Sequence, residues 1–277
     1  MRILLSLFIS IICVANASAD TNLVFGVYTS DKPAEMVKKF RPIINILEQK
    51  MTQKLSEPVH IKIQVANNYN TGIKNLVDGK VDFARFGPVS YIFAKKEDSN
   101  IDILAMESKK GKKVFYGVIA VNSESDITNI SQLVGKTFAF GNEKSTIGRY
   151  LSQQYLVNNG VTSSKLTEYG YLKRHDTVGS AVGNKYFDAG ALKESTFKKL
   201  VSKGTTIREI ARFPNVTKPW LHSSKLNAEI VKNLQQSLLE IDDPKITKKG
   251  RFIVGTDSDY AVIRESVNVN SGFFDNE

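Results

Sequence analysis

The chain has 277 residues, 42% of them hydrophobic and 24% charged, with one cysteine and a formal net charge of +10. That balance is ordinary for a folded domain and unlike a disordered chain, and a lone cysteine excludes an intramolecular disulfide or a thiolate metal cluster. The positive surplus is a solvated lysine-rich surface or an attraction for anionic ligands; nucleic acid is disfavoured, because runs such as Lys109–Lys110 and Lys112–Lys113 belong to no recognised binding motif.

The first segment reads as an export signal. Met1 and Arg2 form a basic start, Ile3 to Val14 an apolar run, and Ala17-Ser18-Ala19 a small-x-small cleavage site. A spanning helix needs about 20 apolar residues, and this run is shorter. Cleavage is expected after Ala19, which removes Cys13 and leaves no thiol. Bulky Ile12 before Cys13 argues against a lipid anchor. The mature chain, about 258 residues, suffices for one large domain or two lobes.

Strand-like and helix-like segments then alternate. Leu23 to Tyr28 reads as a strand. Ser30 and Asp31 are candidate caps for a helix with Pro33 in its first turn. Met36, Phe40, Ile44, Leu47 and Met51 share one helical face, and Pro42 predicts a kink or a break. Val59 to Val65 alternates as a strand. Thr71 to Val77 is a short helix closed by Gly79, Val81 to Phe86 a strand, Pro88 a helix start, and Ile101 to Met106 a strand.

A second set begins with a strand from Val114 to Val121. Ile130 to Val134 is a short helix ended by Gly135, Thr137 to Phe140 a strand, and Thr146 to Val157 a helix closed by Gly160. His175 to Val182 is a helix, Phe187 to Ala191 a strand, Ser195 to Val201 a helix and Ile207 to Phe213 a strand. A long amphipathic helix covers Asn227 to Ile241. Such alternation predicts a parallel-rich α/β fold. Crossings between two lobes are expected near Lys113–Gly117 and Phe213–Pro219, with the last helix returning to the first lobe.

Four segments carry candidate chemistry. In Phe138 to Gly148, a strand, a Gly141-Asn142 turn and Ser145-Thr146 at a helix start suit an oxyanion, through exposed amides and hydroxyls; Ser145 or Thr146 is otherwise a plain N-cap. Gly148 permits close backbone approach, and no Gly-Lys-Ser/Thr follows at Walker spacing, which argues against ATP or GTP. In Lys173 to Thr177, Asp176 or Thr177 is the candidate cap and His175 stands at a helix mouth, as an anion donor or a structural histidine. In Phe187 to Ala191, Asp188 is placed at the C-terminal end of a strand. There it would accept a proton from a P–OH or an amine and so reject sulfate, or it would orient His175 or a backbone amide. In Arg85 to Tyr91, a Gly87-Pro88 turn brings Tyr91 toward a ligand or packs it on the core.

A hydrolase built from Ser145, His175 and Asp188 is disfavoured, since no Gly-x-Ser-x-Gly elbow surrounds Ser145. His60, His175 and His222 show no metal-ligand spacing.

Taken together, Phe86-Gly-Pro-Val-Ser-Tyr91, Phe140-Gly-Asn-Glu-Lys-Ser-Thr-Ile-Gly148, His175-Asp176, Asp188-Ala-Gly-Ala191, Pro219-Trp220 and Asp257-Ser-Asp-Tyr260 resemble the substrate-binding components of phosphate, phosphite and phosphonate ABC transporters. The order and spacing of these motifs span nearly all of the mature chain. The resemblance implies a type II periplasmic binding fold, α/β, with two lobes, a hinge and a ligand cleft between them. The expected boundaries are 20–115 plus 217–277 for one lobe and 116–216 for the other, after a leader of residues 1–19. The resemblance carries ligand contacts onto Ser145, Thr146, His175 and Tyr91, with Asp188 near the site and Tyr28 as a further contact. Ile147 departs from the small residue of many members and changes the pocket's shape. The implied protein is a periplasmic monomer without catalysis or cofactor. It captures a small phosphorus oxyanion and delivers it to a membrane permease with its ATPase. The alternatives are a sensing component that reports to a membrane kinase or chemoreceptor, and an exported hydrolase.

Overall fold

The computed structural model describes residues 20–29, 32–108, 111–242 and 251–275. The leader with Cys13, the candidate caps Ser30 and Asp31, and Lys109–Lys110 lie outside the described residues.

Two sheets form. The first contains β1 (Thr21–Tyr28), β2 (Val59–Ala66), β3 (Phe83–Arg85), β4 (Asp102–Glu107), β10 (Pro219–His222) and β11 (Phe252–Ile253), in the order β11-β4-β10-β3-β1-β2. The second contains β5 (Val114–Asn122), β6 (Thr137–Phe140), β7 (Glu168–Tyr171), β8 (Ala189–Lys193) and β9 (Ile207–Val216), in the order β7-β6-β8-β5-β9. The parallel pairs are β1 with β2 and β3, and β6 with β7 and β8. β10 runs against β3 and β4, β11 against β4, and β5 against β8 and β9. The sheets are therefore mixed. The strands that carry the chain into and out of the second sheet run against their neighbours, which no local periodicity encodes.

Helix α1 (Pro33–Leu55) shows why the sequence folds this way. Its Met36, Phe40, Ile43, Ile44, Leu47 and Met51 form a buried stripe against the first sheet. Each such side chain contributes about 1.5–3 kcal/mol of transfer free energy, less its ordering entropy. Of the kink or break expected at Pro42, the break is absent: the helix runs through it. The stripe is anchored on both sides of Pro42, which offsets the one backbone bond that proline removes. Phe25 stacks on Trp220 with centroids 4.6 Å apart, and Phe40 meets Trp220 edge-on. Strand β10 thus sits in the core, although proline at its head and its four-residue length hid it from periodicity.

Helix α2 (Tyr69–Val77) is capped by Asn68, whose side chain accepts the Thr71 amide. Gly79, Gly135 and Gly160 take positive φ after their elements, as short left-handed turns require. Helices α3 (Pro88–Glu97), α4 (Leu151–Asn158), α5 (His175–Gly183) and α6 (Glu194–Val201) cover the sheets. Helix α7 (Ala228–Leu239) packs Leu234 and Leu238 with the α1 stripe. After β11, α8 (Ala261–Asn268) lies against α3 and α4. The tail then reaches the second sheet, where Phe273 meets Phe140 at 5.4 Å and the Asn270 amide donates to Gln153 Oε1 at 2.8 Å. Among the described residues, no helix is long and apolar enough to cross a membrane.

Candidate functional site

The two sheets face one another across a cavity of about 20 Å³. It lies where α/β folds place ligands, outside the carboxyl ends of the strands. From the first sheet come Tyr28 at the end of β1, Arg85 at the end of β3, and the Gly87-Pro88 turn. From the second come Ser145, Thr146 and Ile147 after β6, and His175 at the first residue of α5.

The loop after β6 is set by two glycines. The Gly141 amide donates to the Gly148 carbonyl at 2.8 Å, and a Cβ on Gly148 would stand 2.8 Å from Gly141 Cα. Only glycine permits that approach of backbone to backbone. The helix that follows opens as a π turn, Thr146–Tyr150, before regular α4. Ser145 caps it, with its hydroxyl accepting the Gly148 amide at 3.0 Å. Ser145 is therefore both a cap and a wall of the cavity. The Thr146 hydroxyl accepts the Val89 amide from α3 at 2.9 Å. This bond ties the helix start of one sheet to the other sheet's helix, and the hydroxyl keeps its hydrogen for donation.

Tyr28 is buried and internally committed. Its hydroxyl donates to Ser90 Oγ at 2.9 Å and accepts the Gly87 amide at 2.6 Å. Burial pushes this phenol's pKa up despite those bonds. Tyr28 thus presents an oxygen and a ring to the cavity and shapes the Gly87-Pro88 turn. His175 is buried, with Gly141 beside its ring. Neither Asp176 nor Thr177 caps α5. Asp176 pairs with Arg174 at 2.9 Å, and Thr177 donates back to the Leu172 and Arg174 carbonyls.

Two expected residues stand elsewhere. Asp188 is exposed and accepts the Thr137 amide at 2.8 Å and its hydroxyl at 3.0 Å. β8 begins at Ala189, two residues later than expected, so Asp188 precedes the strand and lies at the end away from the cavity. It neither orients His175 nor completes a triad with Ser145, and the carboxylate expected to reject sulfate is not at the cavity. Tyr91 is fully buried and donates to Asp257 Oδ1 at 2.6 Å, with its ring against Tyr260. Its place on α3 turns it to the core, toward α8 and Arg264, which pairs with the same Asp257 at 2.8 Å.

The charged and amide side chains of the lining went unassigned in the sequence: Arg85, Lys193, Asn215 and Lys218. Arg85 forms a bidentate pair with Glu107, at 2.8 Å for each bond. Burial pushes the Glu107 carboxyl up, but Arg85, Lys39 and Lys218 outweigh it and hold the group well below the carboxylate range. Lys218 is half-buried, its ammonium 5.4 Å from the Phe115 ring centroid. Burial, with Arg85, Lys193 and Lys39 nearby, drives its pKa well below that of an ordinary lysine. Asn215 is buried, and neither polar atom of its amide has a hydrogen-bond partner among the described residues. Lys193 ends β8, the position that the shifted reading gave to an acid. Arg85 and Lys218 flank motifs, Phe86-Gly-Pro and Pro219-Trp220, a signal available beforehand. Among the described residues, no three His, Cys, Asp or Glu side chains gather as a metal site.

The family described as "ABC transporter, phosphonate, periplasmic substrate-binding protein" matches residues 25–260. A curated relative from Prochlorococcus marinus (strain MIT 9301), named a probable ABC transporter phosphite binding protein, PhnD1, is 28% identical over 160 residues, 56% of this chain and 53% of its own. The phosphonates-binding periplasmic protein of Escherichia coli (strain K12) is 24% identical over 182 residues, 64% of this chain and 52% of its own. The chain thus spans about half the length of the curated relatives it matches. The solved PhnD1 structure, in complex with methylphosphonate, superposes with a TM-score of 0.77 at 21% identity, covering 93% of this chain and 99% of that one. The binding-protein component of a phosphonate ABC transporter from Pseudomonas aeruginosa gives 0.81 at 18% identity, covering 93% and 89%. These likenesses establish the shared two-lobed fold.

Proposed function

The chain belongs to the periplasmic substrate-binding proteins of phosphonate ABC transporters, and we propose that it captures a small phosphorus oxyanion, a phosphonate, phosphite or phosphate, between two lobes. One lobe comprises residues 20–115 with 217–277, the other 116–216. Residues 1–19 direct export and are cut off after Ala19, leaving a periplasmic monomer. A membrane permease and its ATPase receive the ligand. The chain itself performs no catalysis, holds no cofactor and takes no nucleic acid as partner.

One observation carries this reading. The buried Asn215 amide, without a hydrogen-bond partner among the described residues, lines the same cavity as the Ser145-Thr146 helix start and His175. A buried amide left unsatisfied costs about 1–3 kcal/mol, a cost that a ligand offering both donor and acceptor oxygens removes. The ligand's oxygens take hydrogen bonds from the Ser145-Thr146 start, His175 and the Asn215 NH₂, while Asn215 Oδ1 accepts from a P–OH. Each such bond to a charged ligand contributes about 1.5–3 kcal/mol before ordering costs. The cavity is far smaller than a phosphonate, so the lobes part to admit one, and the closed form is favoured because only there do both lobes touch it. A thermal-shift panel of phosphite, methylphosphonate, phosphate and sulfate tests this. Ligand at a hundred times its Kd stabilises by about 2.7 kcal/mol; a melting temperature unmoved by every phosphorus oxyanion at millimolar levels ends the reading.

A further inference from the structure

The apolar part of the cavity lining limits what the phosphorus can carry. With the phosphorus oxygens on the Ser145-Thr146 start, His175 and Asn215, an uncharged substituent is left the apolar lining of Met36, Tyr69, Phe115 and Ile147. Ile147 follows directly on the Ser145-Thr146 start and is buried, so it borders any oxyanion held there. Its side chain has nowhere to withdraw. Behind it lies Gly117 of β5, which pairs with Lys193 of β8 and with Phe213 of β9. A Cβ on Gly117 would stand 2.9 Å from Ile147 Cγ2 and 2.4 Å from two atoms of the Phe213 ring. Ile147 and Phe213 thus already fill the space over that glycine. The backbone on either side of Ile147 is fixed as well: Thr146 Oγ1 accepts the Val89 amide, Ser145 Oγ accepts the Gly148 amide, and the Gly148 carbonyl accepts the Gly141 amide. A β-branched residue on a helical turn has essentially one χ1 rotamer, and a filled interior takes added volume only at a cost. The cavity is about 20 Å³, so each carbon added to the substituent has to be met by parting the lobes, which gives up the contacts that favour closure.

We propose that Ile147 is a specificity-determining residue, a rigid wall that restricts the ligand to phosphorus oxyanions whose substituent is no larger than a methyl group. This rests on the phosphorus-oxyanion reading above. The opposite behaviour is well defined. Were the apolar lining a yielding pocket, each further CH₂ buried there would raise affinity about fourfold, and longer alkylphosphonates would bind more tightly. A wall reverses that order, because the added carbon is paid for in lost closure rather than gained in burial.

Titration calorimetry with methyl-, ethyl- and propylphosphonate decides between the two. In the wild-type protein, affinity is expected to fall by about tenfold or more from methylphosphonate to propylphosphonate. Ile147→Ala is expected to raise the propyl-to-methyl affinity ratio about tenfold, and Ile147→Val, which removes a single methyl group, to raise it by less. Affinity that stays level or rises from methyl to propyl in the wild type overturns the wall even if methylphosphonate binds well, and so does a ratio unmoved by Ile147→Ala. Phosphite or phosphate bound with no alkylphosphonate bound overturns the methyl limit. Failure of all three alkylphosphonates together with phosphite and phosphate removes the parent reading instead. Should Ile147→Ala not fold, Ile147→Val and the wild-type ranking decide.

Discussion

The Thr146 hydroxyl accepts the Val89 amide at 2.9 Å, joining a helix start of the second sheet to a helix of the first. Both residues are buried, so the bond is made only when the sheets are together. Thr146→Val keeps the shape and removes the acceptor, leaving the Val89 amide unsatisfied on closure. The closed form should lose about 1–3 kcal/mol. Small-angle scattering should find the ligand-saturated variant more extended than wild type, whereas Thr146→Ser should close normally. Equal compactness in both variants would remove this bond from the closure.

Asn215 holds the one cavity amide whose two polar atoms have no hydrogen-bond partner among the described residues. Asn215→Ala should weaken methylphosphonate binding about tenfold or more. It should also narrow the preference over sulfate, because the Oδ1 acceptor for a P–OH goes with it. Sulfate competition in the wild type and the variant checks this.

His175→Ala should likewise weaken binding by about tenfold or more without unfolding the protein. Calorimetry beside a circular dichroism melt separates the two effects, and unchanged affinity removes His175 from the site.

Tyr91 should prove a stability residue. Its hydroxyl donates to Asp257 at 2.6 Å, and Asp257 in turn pairs with Arg264. Tyr91→Phe removes a hydrogen bond to a charged group, worth about 1.5–3 kcal/mol. Urea unfolding should register that loss while ligand affinity stays close to wild type. A large affinity change with unchanged stability would place the hydroxyl in the site after all.

Lys218 gives a pH dependence whose sign follows from linkage. Its folded pKa lies well below 10.5, so between that folded value and 10.5 the unfolded chain binds more protons. Stability therefore rises with pH across this window. Lys218→Met should flatten the rise. An anion beside Lys218 raises its pKa, so binding in the same window should take up a proton, visible as a dependence of the binding enthalpy on buffer ionisation. Glu107 acts in the opposite range. Its folded pKa lies below 4.5, so its contribution, present above 4.5, is lost as pH falls toward the folded value.

What the sequence determined by itself was local. The alternation of strands and helices, the α1 stripe, the turns at Gly79, Gly135 and Gly160, and the helix starts at Ser145 and His175 depend on neighbours a few residues away. Periodicity and capping chemistry report such neighbours directly. Tertiary structure decided which of these features converge and with what charge. A two-residue shift in the start of β8 moved Asp188 to the far end of the strand and put Lys193 at the cavity. The turn of α3 sent Tyr91 to Asp257, and the crossing strands brought Asn215 and Lys218 beside Phe115. A cavity's charge is a sum over segments distant in the chain, and only the paired register of the two sheets fixes which side chains enter that sum.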